Sequence, residues 1–280
     1  MLHPANQVVV SAAIAMNQNS PYIYRCQLRL LEPTFFSTRE VSDLYQTEAF
    51  VGHLALCYAL GLAPSRYFND GKTLHYGEDF AALNERGVYV TPATLVSDVR
   101  FTLGSFNAQP DTYWSAMGNN TLVTAPPGMW AERESQSWYL TDGQAERRKK
   151  GAENRPQFGR IRALAIDNRA EFYIISREPQ ELPRYFRLGK WMSKAHLETC
   201  TPVRVVGVQE EGNIPFLLAP ADLPPDTELL AFDLLNVAPM PLVRHSRLRG
   251  PCYQLEGDRL IPCDMRFNVP VSGKQTKRGR

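Results

Sequence analysis

The stretch Tyr22-Ile-Tyr-Arg-Cys-Gln-Leu-Arg-Leu30 alternates apolar and polar side chains at a strict period of two. This period is typical of a β-strand with one buried face and one exposed face. Cys26 and Leu28 belong to the apolar face, whereas Arg25 and Arg29 belong to the polar face. Because arginines neutralise phosphates, the stretch predicts a sheet whose open face is basic and suited to a nucleic acid.

The segments that follow this strand predict a mixture of helices and strands. An apolar stripe between Thr47 and Gly61 predicts a helix around residues 48–60, and Glu78–Arg86 predicts a second helix that ends at Gly87. Alternating apolar stretches predict further strands at residues 88–91, 99–106, 159–166, 170–175, 184–194 and 203–206. This pattern indicates the α+β class.

Composition excludes several classes of protein. The chain has 280 residues, of which 44% are hydrophobic and 21% are charged, as in ordinary globular proteins. Long disorder, a collagen helix and a coiled-coil rod are therefore excluded. No run of about 18 apolar residues predicts a membrane-spanning helix, so we expect no membrane partner. The N-terminal segment lacks the basic region of a secretory signal.

The cysteines and histidines predict neither a disulfide framework nor a metal site. The 5 cysteines are odd in number, and none are paired at the C-x-x-C spacing. We therefore expect a cytoplasmic protein with reduced, buried cysteines. The 5 histidines show no metal-ligand spacing. Phosphate-binding, dinucleotide and hydrolase motifs are also absent, so the sequence predicts no catalytic residue, no metal and no cofactor.

Composition also divides the chain into segments. Residues 107–156 hold 3 of the 4 tryptophans and several prolines, which predicts a long inserted hairpin with a basic tip. Residues 1–20 read as an N-terminal extension. Residues 209–280 are rich in proline and end in a basic tail, which predicts an irregular C-terminal region. The remaining ranges, 21–106 and 157–208, carry the predicted helices and strands.

Charge is unevenly distributed along the chain. Residues 1–143 carry 8 basic and 13 acidic side chains, whereas residues 144–194 carry 13 basic and 6 acidic ones. This basic block is a candidate phosphate-binding footprint. A solvated face that balances the acidic N-terminal half explains the same distribution, and composition leaves both interpretations open.

The segment Arg184–Lys194 combines 4 cations with 3 aromatic rings in 11 residues. Cations grip phosphates, and aromatic faces stack on unpaired bases. Gly189 would let the backbone approach a ligand closely. For Trp191, burial in the core and exposure to a ligand are both open interpretations.

Several motifs along the chain resemble those of a known family. In order, they are Tyr22-Ile-Tyr-Arg-Cys-Gln-Leu28, Phe35-Phe-Ser-Thr-Arg-Glu40, Ala55-Leu-Cys-Tyr-Ala-Leu-Gly-Leu62, Leu83-Asn-Glu-Arg-Gly-Val-Tyr-Val-Thr-Pro-Ala93, Phe158-Gly-Arg160 and Arg187-Leu-Gly-Lys-Trp-Met-Ser-Lys-Ala195. Together they resemble the Csc-one family, the Cas-five-like subunit of type I-D CRISPR interference complexes (Cascade). The resemblance covers roughly residues 20–208, and no match is identified beyond about residue 210.

The resemblance implies a fold and a set of partners. The expected fold is a ferredoxin-like, RNA-recognition-type palm of the RAMP superfamily, with an antiparallel sheet, an inserted thumb hairpin and an irregular C-terminal extension. Such subunits cap the 5′ handle of the guide RNA (crRNA) and contact the large subunit and a backbone subunit. Target DNA near the protospacer-adjacent motif is a further expected partner. The resemblance also implies that a separate endonuclease processes the precursor RNA, so the subunit is expected to be non-catalytic.

The candidate RNA-binding residues follow from the basic pattern and the resemblance together. They are Arg25, Phe36, Arg39, Arg147, Arg148, Lys149, Lys150, Arg160, Arg162, Arg184, Arg187, Gly189, Lys190, Trp191 and Lys194. The cations would hold phosphates, and Phe36 and Trp191 would stack on bases.

Two alternatives remain. The chain would be a metal-independent endoribonuclease that cuts repeat RNA if one of Tyr24, His196 or Lys190 were essential for cutting. It would be a protein–protein scaffold if it touched little RNA.

Overall fold

The computed structural model describes most of the chain and divides it into two compact units. The described residues are 7–9, 20–41, 44–65, 76–96, 98–107, 113–115, 122–124, 128–134, 137–141, 148–151, 158–237 and 239–269. The first unit comprises Met1–Arg39, Gln46–Thr102 and Ala163–Arg280, and the second comprises Glu40–Tyr45 and Leu103–Arg162. The predicted insertion, residues 107–156, falls within the second unit.

Strands form most of the secondary structure in the described ranges. In chain order they are β1 (Gln7–Val9), β2 (Tyr22–Leu30), β3 (Arg39–Val41), β4 (Leu44–Gln46), β5 (Phe50–Val51), β6 (Tyr89–Val90), β7 (Ala93–Leu95), β8 (Phe101–Asn107), β9 (Tyr113–Ser115), β10 (Leu122–Thr124), β11 (Trp130–Glu134), β12 (Ser137–Thr141), β13 (Arg148–Gly151), β14 (Phe158–Leu164), β15 (Arg169–Ser176), β16 (Glu181–Pro183), β17 (Tyr185–Leu188), β18 (Ser193–Pro202), β19 (Val205–Ile214), β20 (Glu228–Leu235), β21 (Leu242–Leu255) and β22 (Arg259–Pro262). The helices are α1 (His53–Ala59) and α2 (Tyr76–Glu85), and a 3-10 turn covers Pro220–Asp222.

A seven-stranded antiparallel sheet organises the first unit. Its strands run in the order β17-β18-β2-β15-β7-β5, and β6 also pairs with β15. Strand β2 spans the predicted residues, Tyr22–Leu30, and lies between β18 and β15. Cys26 and Leu28 are fully buried, whereas Arg25 is exposed on the opposite face. The period-two prediction is therefore confirmed. We call the face that carries Arg25 and Arg29 the open face.

The two helices pack into the core of this unit. Helix α1 begins later than predicted because Phe50–Val51 form β5, which pairs with β7. Its buried side chains include Leu54 and Leu56, and α2 buries Phe80 in the same hydrophobic cluster. Burial of each such side chain contributes about 1.5–3 kcal/mol. Helix α2 overlaps the predicted Glu78–Arg86.

The C-terminal region forms a second antiparallel sheet within the first unit. Its strand order is β19-β21-β20, with β22 also paired to β21. The expectation of irregular structure is therefore wrong for these strands. Most of the prolines lie between strands, where a missing N–H costs no ladder bond. Pro251 lies inside β21, close to the point where its register with β19 shifts between Gln209 and Glu211.

The described residues of the second unit include a three-stranded sheet in the order β11-β12-β13 and a β9–β10 pair. They also include most residues of the strands in a further sheet, whose order is β3-β4-β14-β8. Trp130 and Thr141 are register partners at one end of the β11–β12 pair.

The cysteines differ from the expectation of reduced thiols. Cys26 and Cys200 lie opposite each other on β2 and β18 and are joined by a disulfide. The other cysteines, Cys57, Cys252 and Cys263, are free and buried. The pair escaped the sequence analysis because its members are 174 residues apart and meet only through strand pairing. No helix in the described ranges is long and apolar enough to cross a membrane.

Candidate nucleic-acid interface

A β-hairpin carries the basic and aromatic residues of the segment Arg184–Lys194. Strands β17 and β18 pair antiparallel, with Tyr185 opposite His196 and Arg187 opposite Lys194. The prediction of one continuous strand over this segment is wrong, because the chain reverses between Gly189 and Met192. Both of these residues have positive φ, at 74° and 55°, and such values turn the backbone out of an extended path.

The turn of this hairpin is docked on the loop that follows β2. The backbone N–H of Lys190 donates to the carbonyl of Phe35 at 2.9 Å. The hydroxyl of Ser193 donates to the carbonyl of Pro33 at 2.6 Å. A Cβ at Gly189 would lie 2.6 Å from the Phe35 carbonyl oxygen, so only glycine allows this approach. The absence of a side chain at Gly189 thus allows the turn to pack closely against the loop.

The tip of the hairpin exposes two large apolar side chains. Trp191 is 51% exposed and Met192 is 61% exposed. The indole of Trp191 stacks on the ring of Phe35, with centroids 4.9 Å apart and planes inclined by 30°. Phe35 itself is buried, and its ring packs against one face of the indole. The structure therefore agrees with the interpretation that Trp191 is exposed to a ligand and not buried in the core. One face of its ring packs on Phe35, and about half of the residue is accessible to solvent.

Cations surround this tip. Arg184, Arg187 and Lys190 are exposed, and the Lys194 ammonium lies 5.0 Å from the centroid of the Tyr185 ring. The carboxylate of Glu32 accepts the Lys194 backbone N–H at 2.8 Å and lies 3.5 Å from the Arg187 guanidinium.

We call the following set the hairpin surface: Arg184, Tyr185, Arg187, Lys190, Trp191, Met192 and Lys194. Counted together, its four cations and the carboxylate of Glu32, which lies 3.5 Å from Arg187, carry a net charge of +3. The surface can therefore attract phosphates and offer rings for stacking.

His196 adds a polar ring beside this surface. Its imidazole stacks on Tyr185 with centroids 4.7 Å apart, and the Nε of Arg184 lies 3.4 Å from its Nε2. Partial burial, together with the positive charge of Arg184, lowers the pKa of His196. The ring is therefore neutral near pH 7 and adds hydrogen-bonding atoms but no charge.

The open face of the seven-stranded sheet differs from the expected basic surface. Each arginine there faces a carboxylate brought by a neighbouring strand or turn. The closest contacts are Arg25–Glu171 at 2.5 Å, Arg29–Asp167 at 2.5 Å and Arg169–Glu198 at 2.8 Å. The hydrogen bond from Arg29 lowers the pKa of Asp167, and Glu198 raises the pKa of Arg169. The prediction that this face is basic is therefore wrong, because carboxylates of neighbouring residues form ion pairs with its arginines.

The remaining predicted residues are not members of the hairpin surface. Phe36 is partly buried against the core, and its backbone N–H and carbonyl both bond the Thr47 hydroxyl. Arg39 is exposed and lies 3.5 Å from Glu48. Arg160 and Arg162 belong to the second unit. Arg147 lies outside the described residues, as do the side chains of Arg148, Lys149 and Lys150, whose backbone forms part of β13.

The residues that position the hairpin surface were not predicted from the sequence. Phe35, one residue before the predicted Phe36, supports Trp191, and Glu32 holds the Lys194 backbone. No local pattern in the sequence distinguishes Phe35 from Phe36. The two differ only in their tertiary contacts, since Phe35 stacks on Trp191 whereas Phe36 packs against the core. Tyr24, offered for the endoribonuclease alternative, is fully buried, and burial raises its pKa.

Comparison with known proteins identifies the family. The family model described as type I-D CRISPR-associated protein Cas5/Csc1 matches residues 21–270, which is most of the chain. The chain belongs to this family, and the resemblance seen in the motifs is confirmed. The match extends beyond residue 210, so it includes the C-terminal sheet that the motifs had left unassigned. No curated protein matches the chain.

Proposed function

We propose that this Cas5/Csc1 protein is a non-catalytic structural subunit that binds the crRNA of a type I-D interference complex. In this proposal it caps the repeat-derived 5′ handle and contacts the large subunit and a backbone subunit during recognition of target DNA. Family membership supports the placement in a type I-D CRISPR system. The observation that carries the RNA-binding role is the hairpin surface.

The hairpin surface has the chemistry that a single-stranded handle requires. Its net charge of +3 favours contact with phosphates, whose neutralisation dominates affinity for nucleic acids. Trp191 offers one accessible ring face, and stacking of a base on such a ring contributes about 1–3 kcal/mol. The rigid contact between turn and loop sets the ring and the cations in place before RNA arrives, which lowers the entropic cost of binding.

Sheet topology supports the proposed palm. Strands β2 and β7 both run antiparallel to β15, which lies between them, and both helices fall in the crossover from β2 to β7. Strand β18 flanks β2 on its other side. This order is the one expected of a ferredoxin-like sheet. The second crossover, from β15 to β18, contains β16 and β17 where that fold has a helix.

Charge reversal on the hairpin surface tests the RNA-binding role. The type I-D complex is assembled with the double variant R187E/K190E, and the guide RNA that copurifies is quantified per complex. We expect guide retention to fall, because the surface changes from a net +3 to a net −1. The matched control is R244E, which reverses an exposed arginine that is ion-paired to Asp233 in the C-terminal sheet. Unchanged retention in R187E/K190E would refute the RNA-binding role and favour the scaffold.

Incubation with repeat RNA separates the structural role from the endoribonuclease. The purified chain is mixed with repeat RNA in EDTA, and the products are resolved on a denaturing gel. The proposal expects intact RNA. A discrete cleavage product that disappears in H196A or K190A would establish the enzyme instead.

A further inference from the structure

A cavity of about 430 Å³ lies within the first unit, beside the open face of the seven-stranded sheet. Arg25 and Thr201 line it from the sheet, and Glu256, Gly257 and Arg259 line it from the turn between β21 and β22. Cavities of roughly 300–1,000 Å³ hold small ligands. The cavity is separate from the hairpin surface and shares no residue with it.

Strand pairing places both walls of the cavity. Arg25 on β2 lies opposite Tyr173 on one side and Thr201 on the other. The turn is held beside the end of β18, because the backbone N–H of Glu256 donates at 3.0 Å to the carbonyl of Arg204, two residues after that strand. Gly257 and Asp258 have positive φ, at 86° and 60°, and this turn precedes Arg259, whose guanidinium bonds Tyr173 of the sheet.

Two guanidinium groups converge at the base of the cavity. The Nε of Arg25 donates to Glu171 at 2.7 Å, and Arg259 bonds the other carboxylate oxygen of Glu171 and the hydroxyl of Tyr173, the latter at 2.8 Å. The Glu171 side chain is only 8% exposed, whereas those of Arg25 and Arg259 are 46% and 35% exposed. One buried carboxylate thus orients two partly exposed arginines that line the cavity.

A positive excess is confined to the base of the cavity, and a carboxylate at the rim offsets it. Arg25 and Arg259 carry two charges against one on Glu171, a net of +1 at the base. Glu256 adds a carboxylate at the rim, where it is exposed to solvent, so the four charged groups of the site together sum to zero. Because a guanidinium is a fork of N–H donors, two of them in fixed orientation match the oxygens of one monoanionic phosphodiester.

We propose that this cavity binds one phosphodiester group of single-stranded RNA, with Arg25 and Arg259 as its donors. The Thr201 hydroxyl supplies a further donor to the same ligand. The proposal rests on the proposed function for the class of ligand, and it gives the C-terminal sheet a role in nucleic-acid binding through Arg259.

The test measures affinity of the purified chain for a short fluorescein-labelled single-stranded RNA by anisotropy, at several salt concentrations. In R259Q we expect affinity to fall roughly tenfold. The slope of log affinity against log salt should lose about 0.7, the value of one phosphate contact. In E256Q we expect affinity to rise, because a rim carboxylate that repels the phosphate is removed. The control R244Q changes an exposed arginine of the same sheet outside the cavity and should leave both quantities unchanged.

The variants also separate this proposal from the preceding one. Loss of binding in R187E/K190E with unchanged affinity and slope in R259Q and E256Q would overturn the cavity and leave the hairpin surface intact. Unchanged binding in all of them would overturn both. If R259Q fails to fold, R259K keeps the charge that compensates Glu171 but lacks the fork, and affinity equal to that of the unmodified chain would likewise overturn the proposal.

Discussion

Replacement of Gly189 by alanine tests whether the hairpin turn is locked on the loop after β2. Gly189 has a φ of 74°, and an added Cβ would lie 2.6 Å from the Phe35 carbonyl oxygen. Left-handed backbone costs a non-glycine residue about 1–2 kcal/mol. Forcing the turn away from the carbonyl adds about 1–3 kcal/mol, as in overpacked cores. Lower chain entropy in the unfolded state returns about 0.4–1 kcal/mol. We therefore expect G189A to destabilise the chain by about 2–4 kcal/mol.

Gly61 provides the matched control for this measurement. Its φ is 71°, close to that of Gly189, but an added Cβ would meet no atom within 4 Å. G61A therefore carries only the backbone cost less the entropy gain, about 1 kcal/mol. Both variants are compared by urea unfolding monitored by circular dichroism.

RNA binding supplies the second readout. Because the turn must move to admit the Cβ, Lys190 and Trp191 are displaced in G189A, and RNA affinity should fall together with stability. G61A should keep full affinity. Equal destabilisation of the two variants would refute the inference that the Phe35 carbonyl closes on Gly189, and with it the rigid turn that the hairpin surface requires.

Three further predictions follow from single contacts. W191A should weaken binding of single-stranded RNA by about 1–3 kcal/mol in anisotropy titrations, whereas W191F keeps a ring on Phe35 and should retain most of the affinity. Y89F should lower the free energy of unfolding by about 1–3 kcal/mol, because the Tyr89 hydroxyl donates to the buried Asp222 carboxylate at 2.9 Å; an unchanged urea midpoint would contradict this. The pKa of Asp167 is lowered in the folded chain by Arg29, so its contribution to stability is present above the ordinary aspartate pKa of about 4 and is lost as pH falls below it. D167N should therefore flatten the loss of stability between pH 5 and pH 2 in urea titrations, and an identical pH dependence in both proteins would contradict that assignment.

Elements with a strong local period were predictable from the sequence. Strand Tyr22–Leu30 occupies the predicted residues, and helix Tyr76–Glu85 lies within two residues of its predicted start. Successive side chains of a strand point to opposite faces of the sheet, so the alternation of apolar and polar residues can be recognised in the local sequence. The C-terminal strands were not predictable from the prolines after residue 210, because prolines between strands and prolines in irregular segments have the same sequence signature.

The candidate site was predictable in composition but not in geometry. The cluster of cations and rings in Arg184–Lys194 singled out the correct segment, yet its form as a hairpin was missed. A single glycine is compatible with both an extended strand and a turn. The choice between them depends on the carbonyl of Phe35, which lies more than 150 residues earlier in the chain.

By itself, the sequence determined the β2 alternation, the basic and aromatic segment and the family to which the chain belongs. Only the tertiary structure decided which cationic side chains have a carboxylate partner and which do not. Arg25 lies 146 residues from Glu171 in sequence, and strand pairing brings the two into an ion pair on the open face. The same folding leaves the hairpin surface with four cations against one carboxylate. The physical reason is that an ion pair depends on distance in space, and distance between strands is set by register, which no local pattern encodes.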